Sequence, residues 1–91
     1  MNQGETVKVS VRLGEPLWRQ VKAKEITLEL PERATVGDML QVLSYRYPAL
    51  KSYLLADEVP LTIIVADELV GPDTLLAEGT EAMVFMAIAG G

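Results

Sequence analysis

The sequence predicts an α+β domain in which a sheet of four to five strands is covered on one face by a single main helix. Three observations carry this prediction. Residues 7–13 alternate strictly between apolar and polar, residues 35–47 repeat apolar side chains at helical spacing, and strand-like runs at 61–65 and 81–87 follow the helix. A half-apolar sheet must bury that face against something, and the helix stripe is the surface that fits. At 91 residues the chain is expected to form one domain over 1–91, with 1–6 a flexible N-terminus and 87–91 a protruding C-terminal tail.

Val7, Val9, Val11 and Leu13 fall on one side of the first strand, with Lys8, Ser10 and Arg12 on the other, so one face is wet. Gly14 closes it. Glu15 to Gln20 suits a helical turn, because the proline at position 16 is tolerated in a first turn. Trp18, the one tryptophan, is expected to cover an end of the core, with contact to a partner as the alternative. A second strand spans Glu25 to Leu30, with Ile26, Leu28 and Leu30 inward and Pro31 ending it.

Thr35 opens the main helix. Its hydroxyl caps the first turn, and Asp38, three residues on, is the acidic member of a capping box. Val36, Met39, Leu40, Leu43 and Tyr47 make one apolar stripe. Arg46 suits the last turn and Pro48 stops the helix. Residues 49–59 are ambiguous, with a short helical turn that packs Leu50, Tyr53 and Leu54 inward as one reading. Asp57 and Glu58 read as solvated loop rather than an acid–base pair. Adjacent residues do not face one another, and catalytic carboxylates need a desolvated, mutually oriented setting.

Pro60 opens a third strand, Leu61 to Val65, whose β-branched run suits an interior position. Ala66-Asp67 turns the chain into a short return strand, Glu68 to Val70. Gly71-Pro72-Asp73 punctuates, Leu75 and Leu76 return to the core, and Glu78-Gly79-Thr80 is a tight turn. The last strand, Glu81 to Ala87, breaks the pattern of one wet face. Ala82, Val84 and Met86 point one way and Met83, Phe85 and Ala87 the other, all of them apolar. Either this strand is central and covered on both sides, or its outward face is an exposed patch for a partner.

Composition narrows the chemistry. With no cysteine there is no disulfide framework, thiol nucleophile or thiolate metal site. With no histidine the commonest general base and the commonest metal ligand are both gone. No metal site is expected, and the chain is expected not to be an enzyme in its own right. A net charge of −5 is opposite to the footprint of a nucleic-acid binder. All eight basic residues lie between Lys8 and Lys51, whereas seven acids and no base follow Ser52. That acidic half reads either as a solubilising surface or as the complement of a basic partner. No apolar run approaches the roughly 18 residues of a membrane span, and the first residues are too polar for a signal peptide, so no membrane association and a cytoplasmic location are expected.

The final residues run from Phe85 through Ile88 and Ala89 to Gly90 and Gly91. Glycine has no Cβ, so a Gly-Gly end is thin and leaves its α-carboxylate open to attack. Drawn out, Ala87 to Gly91 reaches about 17 Å, enough to enter a partner's active site while the body stays outside. Simple fraying is the alternative, although a loose tail is not normally anchored to an apolar strand.

The element order, ending in Gly-Gly, resembles the ubiquitin-like β-grasp fold with its mixed sheet. More narrowly, Ile63 to Val70, Leu76 to Glu81 and Phe85 to Gly91 resemble the sulfur carriers of the MoaD and ThiS family. MoaD-like chains often carry Asn where this sequence has Ala66, and two prolines where it has Met86 and Ala87. The tail is closer to ThiS and the length nearer MoaD, which leaves the pathway open.

The resemblance implies that the Gly91 carboxylate is adenylated by an E1-like enzyme of MoeB or ThiF type and becomes a thiocarboxylate. The sulfur then passes to a synthase subunit of MoaE type, in molybdenum cofactor biosynthesis, or to a thiazole synthase. It makes Gly91 the sulfur-bearing residue, Gly90 the thin link, and Ala89, Ile88 and Phe85 partner contacts. No cofactor is expected on this chain, since ATP is used by the activating partner. Conjugation of Gly91 to a target lysine, as a protein modifier, and an interaction module with an inert terminus are the alternatives.

Overall fold

The computed structural model describes residues 5–15, 17–54 and 61–86. The alternating run forms strand β1 (Thr6–Leu13), with Val7, Val9, Val11 and Leu13 buried. It begins at Thr6, one residue before the alternation requires, because Thr6 pairs with Pro31 of strand β2 (Glu25–Pro31). Pro31 is thus the last residue of β2 rather than the first beyond it, a strand-end place where its missing N–H costs no ladder bond. Between the two antiparallel strands lies the short helix α1 (Leu17–Val21), whose Leu17 is fully buried.

Helix α2 (Val36–Arg46) starts on a complete capping box. The Asp38 N–H donates to Thr35 Oγ1 at 3.2 Å, and the Thr35 N–H donates to Asp38 Oδ2 at 3.0 Å. Val36, Met39 and Leu43 are fully buried, while Leu40 and Tyr47 pack at the margin of the same core. A 3-10 turn (Pro48–Leu50) and helix α3 (Lys51–Leu54) follow, burying Leu50 and Leu54 and resting Tyr53 against the core. Asp57 and Glu58 lie outside the described residues.

Strand β3 (Leu61–Val65) joins strand β4 (Glu68–Leu69) through Ala66 (φ 54°) and Asp67 (φ 66°). Two left-handed central residues are what a two-residue type I′ hairpin demands. Leu76 returns to the core as expected, but Leu75 does not and is 61% exposed. The segment is extended here, with Leu75 bridging Thr35 and the Leu76 N–H donating to the Ala34 carbonyl at 2.9 Å. Successive side chains of extended backbone point to opposite sides, so only one of the two leucines can enter the core.

Strand β5 (Thr80–Met86) completes a mixed sheet in the order β2-β1-β5-β3-β4. It runs parallel to β1 and antiparallel to β3. One face of this sheet and the stripe of α2 share a single core of Val9, Val11, Leu28, Leu30, Ile63, Ala82 and Val84 with Val36, Met39 and Leu43. Each fully buried Leu or Val contributes about 1.5–3 kcal/mol, which makes this shared layer the main support of the fold.

Candidate functional site: the open sheet face around Met83 and Phe85

With one main helix, the sheet has one covered face and one open face. On β5, Ala82 and Val84 are fully buried beneath α2, whereas Met83 is 41% exposed and Phe85 is half-buried without joining the core. The strand is therefore central in the sheet yet covered on one side only, and its outward apolar residues form the exposed patch that one reading of the sequence anticipated.

Strand register builds that patch. Met83 stands beside Arg12 of β1 and Ile64 of β3, and Ile64 stands beside Leu69 of β4, which is 75% exposed. Phe85 is in register with Thr62 on one side and reaches the end of β1 at Gly14 on the other. Two open depressions flank Met83. One, of about 240 Å³, is lined by Arg12, Leu13, Gly14, Lys24, Met83 and Phe85. The other, of about 500 Å³, extends past Ile64 toward the hairpin turn at Ala66 and Asp67.

Strand pairing brings cations of the first half of the sequence beside apolar residues of the acidic half. Because β1 lies parallel to β5, Arg12 of the first half stands next to Met83 of the second. Lys24 lines the same depression as Phe85, and its Nζ also lies 4.9 Å from the centre of the Trp18 ring. Arg19 sits over that ring at 5.1 Å while pairing with Glu15 at 2.7 Å. Trp18 itself is partly buried and packs on the core. At the other end of β1 the Lys8 N–H donates to Glu78 Oε1 at 2.9 Å. Strand pairing thus interleaves charges that are segregated along the chain, with Arg12 and Lys24 next to Met83 and Phe85.

Of the residues singled out from the sequence, Phe85 is on this face. Ile88, Ala89, Gly90 and Gly91 lie outside the described residues. Among the described residues no group of three or more acidic, histidine or cysteine side chains is placed to hold a metal ion, and no helix is long and apolar enough to cross a membrane. The start of α2 offers no open anion site, because the Val36 and Gly37 N–H groups are taken by the Thr74 and Pro72 carbonyls, each at 2.9 Å.

Sequence reasoning missed Gly14, Ile64 and Leu69 as parts of this face. Ile64 sits in a continuous apolar run with no alternation to assign its side, and Gly14 read as punctuation.

The ThiS family model matches residues 15–91. Among solved structures, the HVO 2177 protein of Haloferax volcanii is 28% identical with a TM-score of 0.81, covering 94% of this chain and 88% of that one. A protein assigned as molybdopterin converting factor, subunit 1, from Pyrococcus furiosus is 26% identical with a TM-score of 0.77, covering 90% and 99%. The small archaeal modifier protein 1 of Methanosarcina acetivorans is 25% identical with a TM-score of 0.79, covering 97% and 100%. The shared fold is the ubiquitin-like β-grasp. No curated protein matches in sequence.

Proposed function

The chain belongs to the ThiS family of ubiquitin-like sulfur carriers, and from that premise we propose that the carboxylate of Gly91 is its reactive group. The observation that carries this reading is that the family match runs through Gly90 and Gly91. An oxygen of the carboxylate attacks the α-phosphorus of ATP on an E1-like partner, the bond to pyrophosphate breaks, and an acyl adenylate forms. A sulfur nucleophile at the oxidation level of sulfide, supplied by the partner, then adds to the carbonyl carbon. AMP leaves, and the Gly91 thiocarboxylate remains.

A carboxylate is a poor electrophile until its oxygen becomes part of a good leaving group. This sequence has no cysteine or histidine to assist, so activation falls to the partner. What the chain supplies is a thin end, Ala89-Gly90-Gly91, that acts as a protruding tail, and a docking surface centred on Phe85 and Met83 and extended by Ile88. Apolar side chains exposed together beside a reactive terminus are the expected form of such a surface.

The acceptor we favour is a synthase subunit of molybdenum cofactor biosynthesis in the cytoplasm, by analogy with the Pyrococcus furiosus relative. The second reading, a modifier joined through Gly91 to a lysine of a target protein, is favoured by the Methanosarcina acetivorans relative. Intact-mass measurement of the chain coexpressed with its native activating enzyme separates them. Oxygen-for-sulfur exchange at the terminus supports the carrier, covalent ladders that vanish on deletion of Gly91 support the modifier, and an unchanged mass with no ladders overturns both.

A further inference from the structure

We infer that Gly14 is a positioning residue for Phe85, the absence of a side chain at the end of β1 being what lets Phe85 approach it and hold its ring on the open sheet face. The inference rests on reading the open sheet face as the docking surface.

A Cβ placed on Gly14 would stand 2.6 Å from Phe85 Cβ and 3.6 Å from both its Cα and its Cγ. Carbon atoms pack at about 3.5–4.0 Å, so the first contact is a collision. It involves the root of the Phe85 side chain, whose position no χ1 rotation changes. The backbone of Gly14 is not free to withdraw either. Its N–H donates to the Val84 carbonyl at 2.9 Å, and its carbonyl accepts the Trp18 N–H at 3.1 Å, at the start of α1. Moving Gly14 away from β5 breaks one of these bonds or the other.

Backbone conformation is not the reason for this glycine. Among the described glycines only Gly79 has a left-handed φ, +82°, and a Cβ there would meet nothing within 4 Å. Gly79 serves a turn, whereas Gly14 serves a close approach. Any side chain at position 14 therefore acts on Phe85, one residue before Met86 at the end of β5.

The test is ATP–pyrophosphate exchange by the native E1-like enzyme with variants of the full chain. Gly14→Ala is expected to raise the KM for the carrier about tenfold with kcat unchanged, the signature of lost docking rather than lost chemistry. Phe85→Gly removes the colliding atom, so in that background Gly14→Ala adds no further increase, a coupling that a double-mutant cycle measures. An unchanged KM for Gly14→Ala, or the same KM increase in both backgrounds, overturns the inference. If Gly14→Ala alone fails to fold, recovery of its melting transition in the Phe85→Gly background supports the inference, and no recovery overturns it. A wild-type chain that supports no exchange sinks the functional reading alone. The Phe85 ring proton shifts of free Gly14→Ala then decide the placement, moving if Gly14 positions the ring and staying put if it does not.

Discussion

Strand β5 carries apolar side chains on both of its faces, and the two faces meet opposite environments. Ala82 and Val84 are sealed against α2 with no exposed surface, while Met83, between them in sequence, keeps 41% of its surface in solvent and Phe85 lies half-covered over Gly14. The difference lies in the supply of covering elements. The one long helix among the described residues, α2, lends its stripe to one side of the sheet, so Met83 and Phe85 on the other side stay open among polar neighbours such as Arg12 and Thr62. Apolar side chains of one strand thus hold the molecule together on one face and, in the function proposed above, form the docking surface on the other.

Substitutions matched across the strand break or sharpen this contrast. The largest effect is expected from Val84→Asp. It forces an unpaired carboxylate into the core, at a cost above about 4 kcal/mol, and should abolish the cooperative thermal transition seen by circular dichroism. Phe85→Asp, one residue along, should leave a folded protein and weaken binding to the activating enzyme by about 2 kcal/mol, roughly thirtyfold in Kd by calorimetry. Loss of the fold instead would move Phe85 from the docking face to the core.

Thr35→Ala removes the cap on the covering helix and should cost about 1 kcal/mol in chemical denaturation without changing partner affinity. The smallest stability change belongs to Leu69→Ser on the exposed hairpin, within about 0.5 kcal/mol. A larger loss would show that the open face also supports the fold.

The covered side was the legible one. Alternation gave the inward residues of β1 and β2, and the Thr35–Asp38 pair fixed the start of α2, because both patterns are local and periodic. Leu75 was misplaced because adjacent leucines carry no phase of their own, and its bridge to Thr35, distant in sequence, decides which of the pair turns inward. The open side was legible along β5 itself, where Met83 and Phe85 alternate with the buried Ala82 and Val84. Met83, Ile64 and Leu69 become one surface through the pairing of three strands, and Arg12 joins them through a fourth. Such register between distant segments leaves no trace in composition, which is also why the sequence did not show that Arg12 of the basic half stands beside Met83 of the acidic half.

The strand translated after the other four sits in the middle of the sheet, bonded to β1 on one side and β3 on the other. While residues 80–86 are still inside the ribosome, β1 has only β2 and β3 has only β4, and isolated two-stranded hairpins are marginal in water. Synthesis that aborts before this strand leaves the two hairpins without the strand that joins them. A chain that stops short of β5 is thus expected to be cleared by proteases, and any stably folded truncation product must already contain the central strand.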